Sequence, residues 1–149
     1  MIREFKPNDI DNVMQIWLET NILAHPFIPK SYWQDNFSAV NAVMTDACVE
    51  IYIFEDCGEI RGFIGLIENN IAGLFVKSGS QSQGIGKSLL DYCKMKYQKL
   101  ALRVYQKNLR AIEFYKRESF VITCEGIDEN TEEREFIMKW TKEDKNDAY

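Results

Sequence analysis

The chain has one histidine, His25, and four cysteines, none of them in a Cys-x-x-Cys pair. Local spacing therefore offers no zinc-type ligand set, and no metal is expected. Proline is scarce, and two of the three prolines, Pro26 and Pro29, fall in one stretch that reads as a loop. No apolar run approaches the ~20 residues of a membrane span. Met1-Ile2-Arg3-Glu4 reads into a strand, not into a signal sequence. The reading is a cytoplasmic protein with reduced, mostly structural thiols and no membrane partner. Positive charge is in deficit: the net charge is −5, which argues against nucleic acid as a main partner. An acidic surface suits cationic acceptors, but it is also ordinary for soluble proteins.

The 149 residues suit one domain with its own core. The pattern predicts that domain over 1–141 and a charged, loose tail over 142–149. Ile2 to Phe5 reads as a strand. Asn8 is a candidate helix cap, followed by Ile10, Val13, Met14 and Trp17 at helical spacing. Ser31-x-x-Gln34 reads as a capping box before a second helix carrying Trp33, Phe37, Val40 and Met44. The period then changes. Ile51 to Glu55 and Ile60 to Glu68 form a hairpin, and Ile71 to Lys77 is a further strand holding Gly73. A helix runs from about Gly84 to Tyr97, a strand from Leu100 to Tyr105, and a short helix follows Asn108. Phe120 to Cys124 and Arg134 to Trp140 are the last strands. The order implies an α/β fold around one mixed sheet.

The segment Gln81-Ser82-Gln83-Gly84-Ile85-Gly86-Lys87-Ser88 lies between a strand and a helix. Glycine there lets backbone approach a ligand, and the first N–H groups of the helix suit a phosphate. A Walker A loop needs glycine where Gln81 stands, and a dinucleotide fingerprint needs it at Leu89. Both fail. What remains is Q-x-x-G-x-G, which resembles the coenzyme A pyrophosphate loop of GNAT acetyltransferases. Asn108-x-x-Ala111-x-x-Phe114-Tyr115 is similar to the second GNAT signature. Spacings of three and four put Asn108, Ala111 and Tyr115 on one helix face.

Beyond those motifs the chain resembles small bacterial GNAT proteins of the YiaC type, with the YjaB-like ones more distant. His25-Pro26-Phe27-Ile28, Tyr32-Trp33 and Val104-Tyr105-Gln106-Lys107-Asn108 carry this part of the resemblance. It implies the GNAT fold, with about seven strands and four helices. It implies acetyl-CoA as acetyl donor and an amine acceptor, a protein lysine or N-terminal amine before a small amine. It also implies that Leu74, Phe75 and Val76 meet the pantetheine arm and that the loop from Gln81 to Ser88 holds the pyrophosphate. Asn108 would bond the cofactor, and Tyr115 would protonate the departing thiolate. His25, Phe27, Tyr32 and Trp33 would line the acceptor site. The sequence departs from the family pattern at Ser78, often proline, and at Ser119, usually glycine. If Ser119 takes φ > 0, it does so at a cost.

A lysine amine with pKa about 10.4 is neutral about once in 2,500 at pH 7, so deprotonation costs about 4.6 kcal/mol. That calls for a base or a water path. Glu68, at a strand end, is the first candidate and His25 the second. A phenol keeps its proton at pH 7, which suits Tyr115 to the acid role. The alternative is a non-catalytic acyl-CoA sensor or scaffold, which would not need Asn108 and Tyr115. An enzyme that acetylates aminoacyl-tRNA would want a basic surface. Monomer and homodimer are both compatible with the sequence.

Overall fold

Strands built from alternating apolar residues and helices with one apolar stripe must bury those faces against each other. The computed structural model describes residues 1–142 and shows how they do so. In chain order the elements are β1 (Ile2–Glu4), a 3-10 turn (Pro7–Asp9), α1 (Ile10–Ala24), α2 (Lys30–Met44), β2 (Val49–Asp56), β3 (Glu59–Ile67) and β4 (Asn70–Val76). There follow α3 (Ile85–Lys96), β5 (Lys99–Tyr105), α4 (Leu109–Arg117), β6 (Val121–Ile127) and β7 (Arg134–Thr141). The seven strands form one sheet in the order β1-β2-β3-β4-β5-β7-β6. α1 and α2 cover one face, where Val13, Met14, Trp17 and Trp33 pack on Ile53 and Phe63. α3 and α4 cover the other, where Leu89, Leu90, Ile112 and Tyr115 pack on Leu66, Leu102 and Met138. The fold is the mixed α/β sandwich that the sequence predicts. The expected tail lies, beyond Lys142, outside the described residues.

Two irregularities shape the centre of the sheet. β4 and β5 are its parallel pair, and their ladder holds only Asn70 with Ala101 and Ile71 with Leu102. Past that point β4 stays with β3 as far as Val76, and β5 stays with β7 as far as Tyr105. The sheet therefore splits between their C-terminal halves. β4 also bulges: Gly65 faces Gly73 but Leu66 faces Ile71, which leaves Ala72 unopposed. The Phe75 ring folds over Gly73, where a Cβ would lie 2.3 Å from two ring carbons.

Three local expectations are corrected. α1 starts at Ile10, and Asn8 does not cap it. The neighbouring Asp9 instead receives the Arg3 guanidinium at 2.8 and 3.0 Å and the Lys6 N–H at 2.8 Å, which pins the turn to β1. Ser31 does not form a capping box, because α2 already begins at Lys30 behind Pro29, whose side chain has no acceptor for the helix amides. β6 runs from Val121 to Ile127, longer than the apolar pattern suggests, because an outer strand alongside β7 needs no buried face. Ser119 does adopt φ 73°, in the turn that takes α4 into β6.

Candidate active site

The loop after β4 is anchored at its base. Lys77 N–H donates to Arg61 O at 2.8 Å, and Ser80 N–H donates to Lys77 O at 2.9 Å. The buried Ser80 hydroxyl receives Arg61 Nη1 at 3.3 Å. Above this base the chain turns through left-handed conformations at Ser82 (φ 65°) and Gly84 (φ 80°). Among the described residues, its two chain neighbours aside, nothing lies within 4 Å of the position a Gly84 Cβ would take. The backbone there is bare on its outer side. α3 then starts at Ile85, and the N–H groups of Ile85, Gly86 and Lys87 have no preceding helical carbonyl to meet. A left-handed turn feeding a helix N-terminus is a concave array of donors that fits a phosphate.

The charge at this loop comes from an unexpected side chain. Lys87 turns along α3 and pairs with Asp91 at 3.2 Å and Glu118 at 3.1 Å. Those carboxylates, Glu118 first, raise its pKa. Arg110, from the first turn of α4, reaches the loop instead: Nη1 donates to Gln81 Oε1 at 2.7 Å and Nη2 to Ser82 Oγ at 3.5 Å. Gln81 in turn donates to Val76 O at 3.1 Å. Two signatures 27 positions apart in sequence, at Gln81 and Asn108, thus share one surface.

Asn108 works at both ends of its amide. Oδ1 accepts the Ala111 N–H at 3.2 Å and caps α4. Nδ2 is thereby turned toward His25, 3.2 Å from Nε2. His25 Nδ1 lies 3.1 Å from Asn21 O, so Nδ1 carries the proton and Nε2 accepts from Asn108. Burial lowers the His25 pKa, against a smaller opposing effect of the Asn21 carbonyl, and the ring is neutral at pH 7. One helical turn beyond Ala111, Tyr115 is buried between Phe114 and Phe120, with centroids at 5.2 and 5.5 Å. Burial pushes its phenol above the ordinary range.

On the other side of the split, the α1–α2 loop builds an aromatic wall. The His25 ring lies 5.1 Å from Tyr105, 5.4 Å from Trp33 and 5.6 Å from Phe27. Tyr32 packs edge-on against Trp33 at 4.9 Å. Trp33 is 7% exposed, and its buried Nε1 has no hydrogen-bond partner among the described residues. The β6–β7 turn closes this wall: Tyr105 Oη donates to Asp128 Oδ2 at 2.6 Å, and Asn130 N–H donates to Oδ1 at 3.0 Å. Burial, and then the Asp128 charge, raise the Tyr32 phenol.

His25, Phe27, Tyr32, Trp33, Asn108 and the Gln81–Ser88 loop therefore gather around the open end of the sheet. Glu68 does not join them. It is exposed in the β3–β4 turn with φ 54°. The turn and four steps of β4, from Asn70 to Leu74 and roughly 13 Å long, separate it from Leu74. Sequence reading missed Arg110, Tyr105 and Asp128. Arg110 was findable, since it lies inside the second signature. Asp128 meets Tyr105 only through the β5–β7 pairing, which no local pattern reveals.

The geometry combines a donor-lined loop, a cleft in a parallel ladder and an aromatic wall with one carboxylate. Known proteins share the sequence pattern and the fold. Residues 48–122 match the acetyltransferase (GNAT) domain model. The chain is 35% identical over 143 residues to the peptidyl-lysine N-acetyltransferase YiaC of Escherichia coli K12, covering 94% of this chain and 96% of that one. Among solved structures, apo YjaB from Escherichia coli superposes with a TM-score of 0.83 at 18% identity, covering 96% of this chain and 98% of that one. The PaiA N-acetyltransferase of Thermoplasma acidophilum, solved in complex with coenzyme A, gives 0.75 at 19% identity, covering 95% and 98%. With a family model over half its length and a relative this similar along nearly all of it, the chain belongs to the GNAT family of N-acetyltransferases.

Proposed function

We propose that this enzyme transfers the acetyl group of acetyl-CoA to the ε-amine of a protein lysine, with both substrates bound together. The observation that carries the reading is the Asn108 amide. It joins the helix that would face the donor to the loop that would face the acceptor. The likeness to a peptidyl-lysine N-acetyltransferase supports lysine over other amines.

Acetyl-CoA, when bound, supplies an activated acyl group on a sulfur leaving group. The residues present fit it: the bare amides from Ser82 to Lys87 and the Arg110 guanidinium suit its phosphates. The β4 segment from Leu74 to Val76 is unpaired toward β5, and the main-chain groups of Leu74 and Val76 on that edge suit its pantetheine amides. Phe75 turns its N–H to Phe63 of β3, so the N–H groups of Leu74 and Val76 alternate onto the open edge, and one of them suits a developing oxyanion. Tyr115 keeps its proton and delivers it to sulfur. Glu68 is out of reach as a base. His25 positions and does not take the proton. Protonating Nε2 would set two donors face to face across the Asn108 contact. The amine proton leaves through water. The rim near Phe27 and Tyr32, with Asp128 behind it, attracts an ammonium group.

The test is calorimetry with acetyl-CoA, then free-thiol release against lysine peptides, N-terminal peptides and polyamines. Binding followed by release on lysine peptides alone is the expected result. Release on polyamines alone would move the enzyme to another substrate class. Binding without release on any acceptor would favour a sensor role.

A further inference from the structure

At the rim of the acceptor wall the chain presents an amine of its own. Lys107 Nζ lies 5.4 Å from the centroid of the Phe27 ring. Its ammonium also pairs with Glu133, at 3.2 Å from Oε2 and 3.3 Å from Oε1. Lys107 immediately precedes Asn108 and follows Tyr105 by two residues. Its side chain is 60% exposed, so it is free to swing. The other lysines with placed partners point elsewhere. Lys77 is held by Glu59, and Lys87 by Asp91 and Glu118. Lys94 lies against Phe120 and Trp140, and Lys96 against Tyr52 and Glu50. Lys107 thus has the position and the chemistry of the acceptor that the site would take.

We propose that Lys107 is a self-acetylation site, modified within its own chain. This rests on the acetyltransferase reading above and adds an internal substrate to it. Nζ, after loss of a proton to water, forms a C–N bond with the acetyl carbonyl carbon of acetyl-CoA. The C–S bond breaks, the thiolate takes the Tyr115 proton, and the second Nζ proton passes through water to restore the phenol. The products are N-acetyl-Lys107, free CoA and one proton. A tethered amine meets the donor at an effective concentration in the millimolar range, far above that of most protein acceptors. Self-transfer therefore competes well when acceptors are dilute. The mark removes one positive charge, and with it the Glu133 ion pair and the contact on Phe27.

The experiment incubates the purified protein with acetyl-CoA and maps acetyl groups by peptide mass spectrometry. Expected is acetylation at Lys107 with a first-order rate that does not change over a tenfold range of protein concentration. Tyr115→Phe should slow that mark about 100-fold, whereas purely chemical acetylation would be unaffected. Lys107→Arg should lose the mark and still bind acetyl-CoA by calorimetry. An unmodified Lys107 in protein that acetylates an external lysine peptide would overturn the proposal and leave the acetyltransferase reading intact. A rate proportional to protein concentration would overturn the intramolecular step. If acetyl-CoA binds and neither Lys107 nor any peptide is modified, the acetyltransferase reading itself fails. An equal rate in a Tyr115→Phe chain that still binds acetyl-CoA by calorimetry would also overturn the proposal, while the other outcomes are read on the wild-type chain.

Discussion

The Asn108 amide spans two segments 83 positions apart, with Oδ1 on the first turn of α4 and Nδ2 on His25 of the α1–α2 loop. Its two jobs separate by substitution. Asn108→Ala removes both and should destabilise the protein by about 1 kcal/mol, the usual cost of a lost cap. Asn108→Asp keeps an acceptor for the Ala111 N–H and loses the donor to His25. Thermal melting should hardly move in the aspartate variant, while acetyl-CoA affinity falls as it does in the alanine variant.

The same contact makes the enzyme acid-sensitive. His25 has its ordinary pKa near 6.5 in the unfolded chain and a lower one in the fold, chiefly through burial. Between the two values the unfolded chain binds more protons, so stability rises with pH across that window and is fully present above about 6.5. Acidification below 6.5 should lower the melting temperature and weaken acetyl-CoA binding together. His25→Gln, whose amide oxygen can accept from Asn108, should flatten both profiles.

The Tyr115 hydroxyl makes no hydrogen bond among the described residues, and its ring packs in the core beside Phe120. Tyr115→Phe should therefore fold normally and bind acetyl-CoA within twofold of the wild type. Its kcat should fall by about 100-fold, the lower range for loss of a general acid. Thiol-release kinetics and calorimetry on one preparation check both halves.

Arg110 and Lys87 make a contrasting pair. Lys87 stands inside the loop signature but is turned to Asp91 and Glu118, so Lys87→Ala should leave acetyl-CoA affinity within twofold. Arg110→Ala should weaken it tenfold or more, since a charge-assisted phosphate contact is worth about 1.5–3 kcal/mol. Wild-type binding should fall more steeply with added salt than that of the arginine variant.

Much of this was legible in sequence because the relevant physics is local. A left-handed glycine before a helix, a capping asparagine and a strand of alternating apolar residues each leave a short pattern, and those elements appear where expected. What was not legible depends on partners far along the chain. Asn8 looks like a cap, but Arg3 draws Asp9 and its turn onto β1. Lys87 looks like a phosphate ligand until Glu118 arrives from the end of α4. Glu68 sits in the right strand pair and at the wrong end of it. Distance along a strand is invisible to a motif.

The split between β4 and β5 has a mechanical consequence. The four strands β1 to β4 and the three strands β5, β7 and β6 are stitched within the sheet by two residue pairs alone. A donor molecule lying in the split, as proposed, would take up main-chain groups that neighbouring strands would otherwise share. On the proposed binding mode the substrate would stand in for the missing stretch of ladder, so the two halves should be more firmly joined when loaded than when empty. Amide exchange at Leu74 and Val76 should slow on loading more than at Phe75, which already pairs with β3, and the protein's rigidity should track the supply of acetyl-CoA around it.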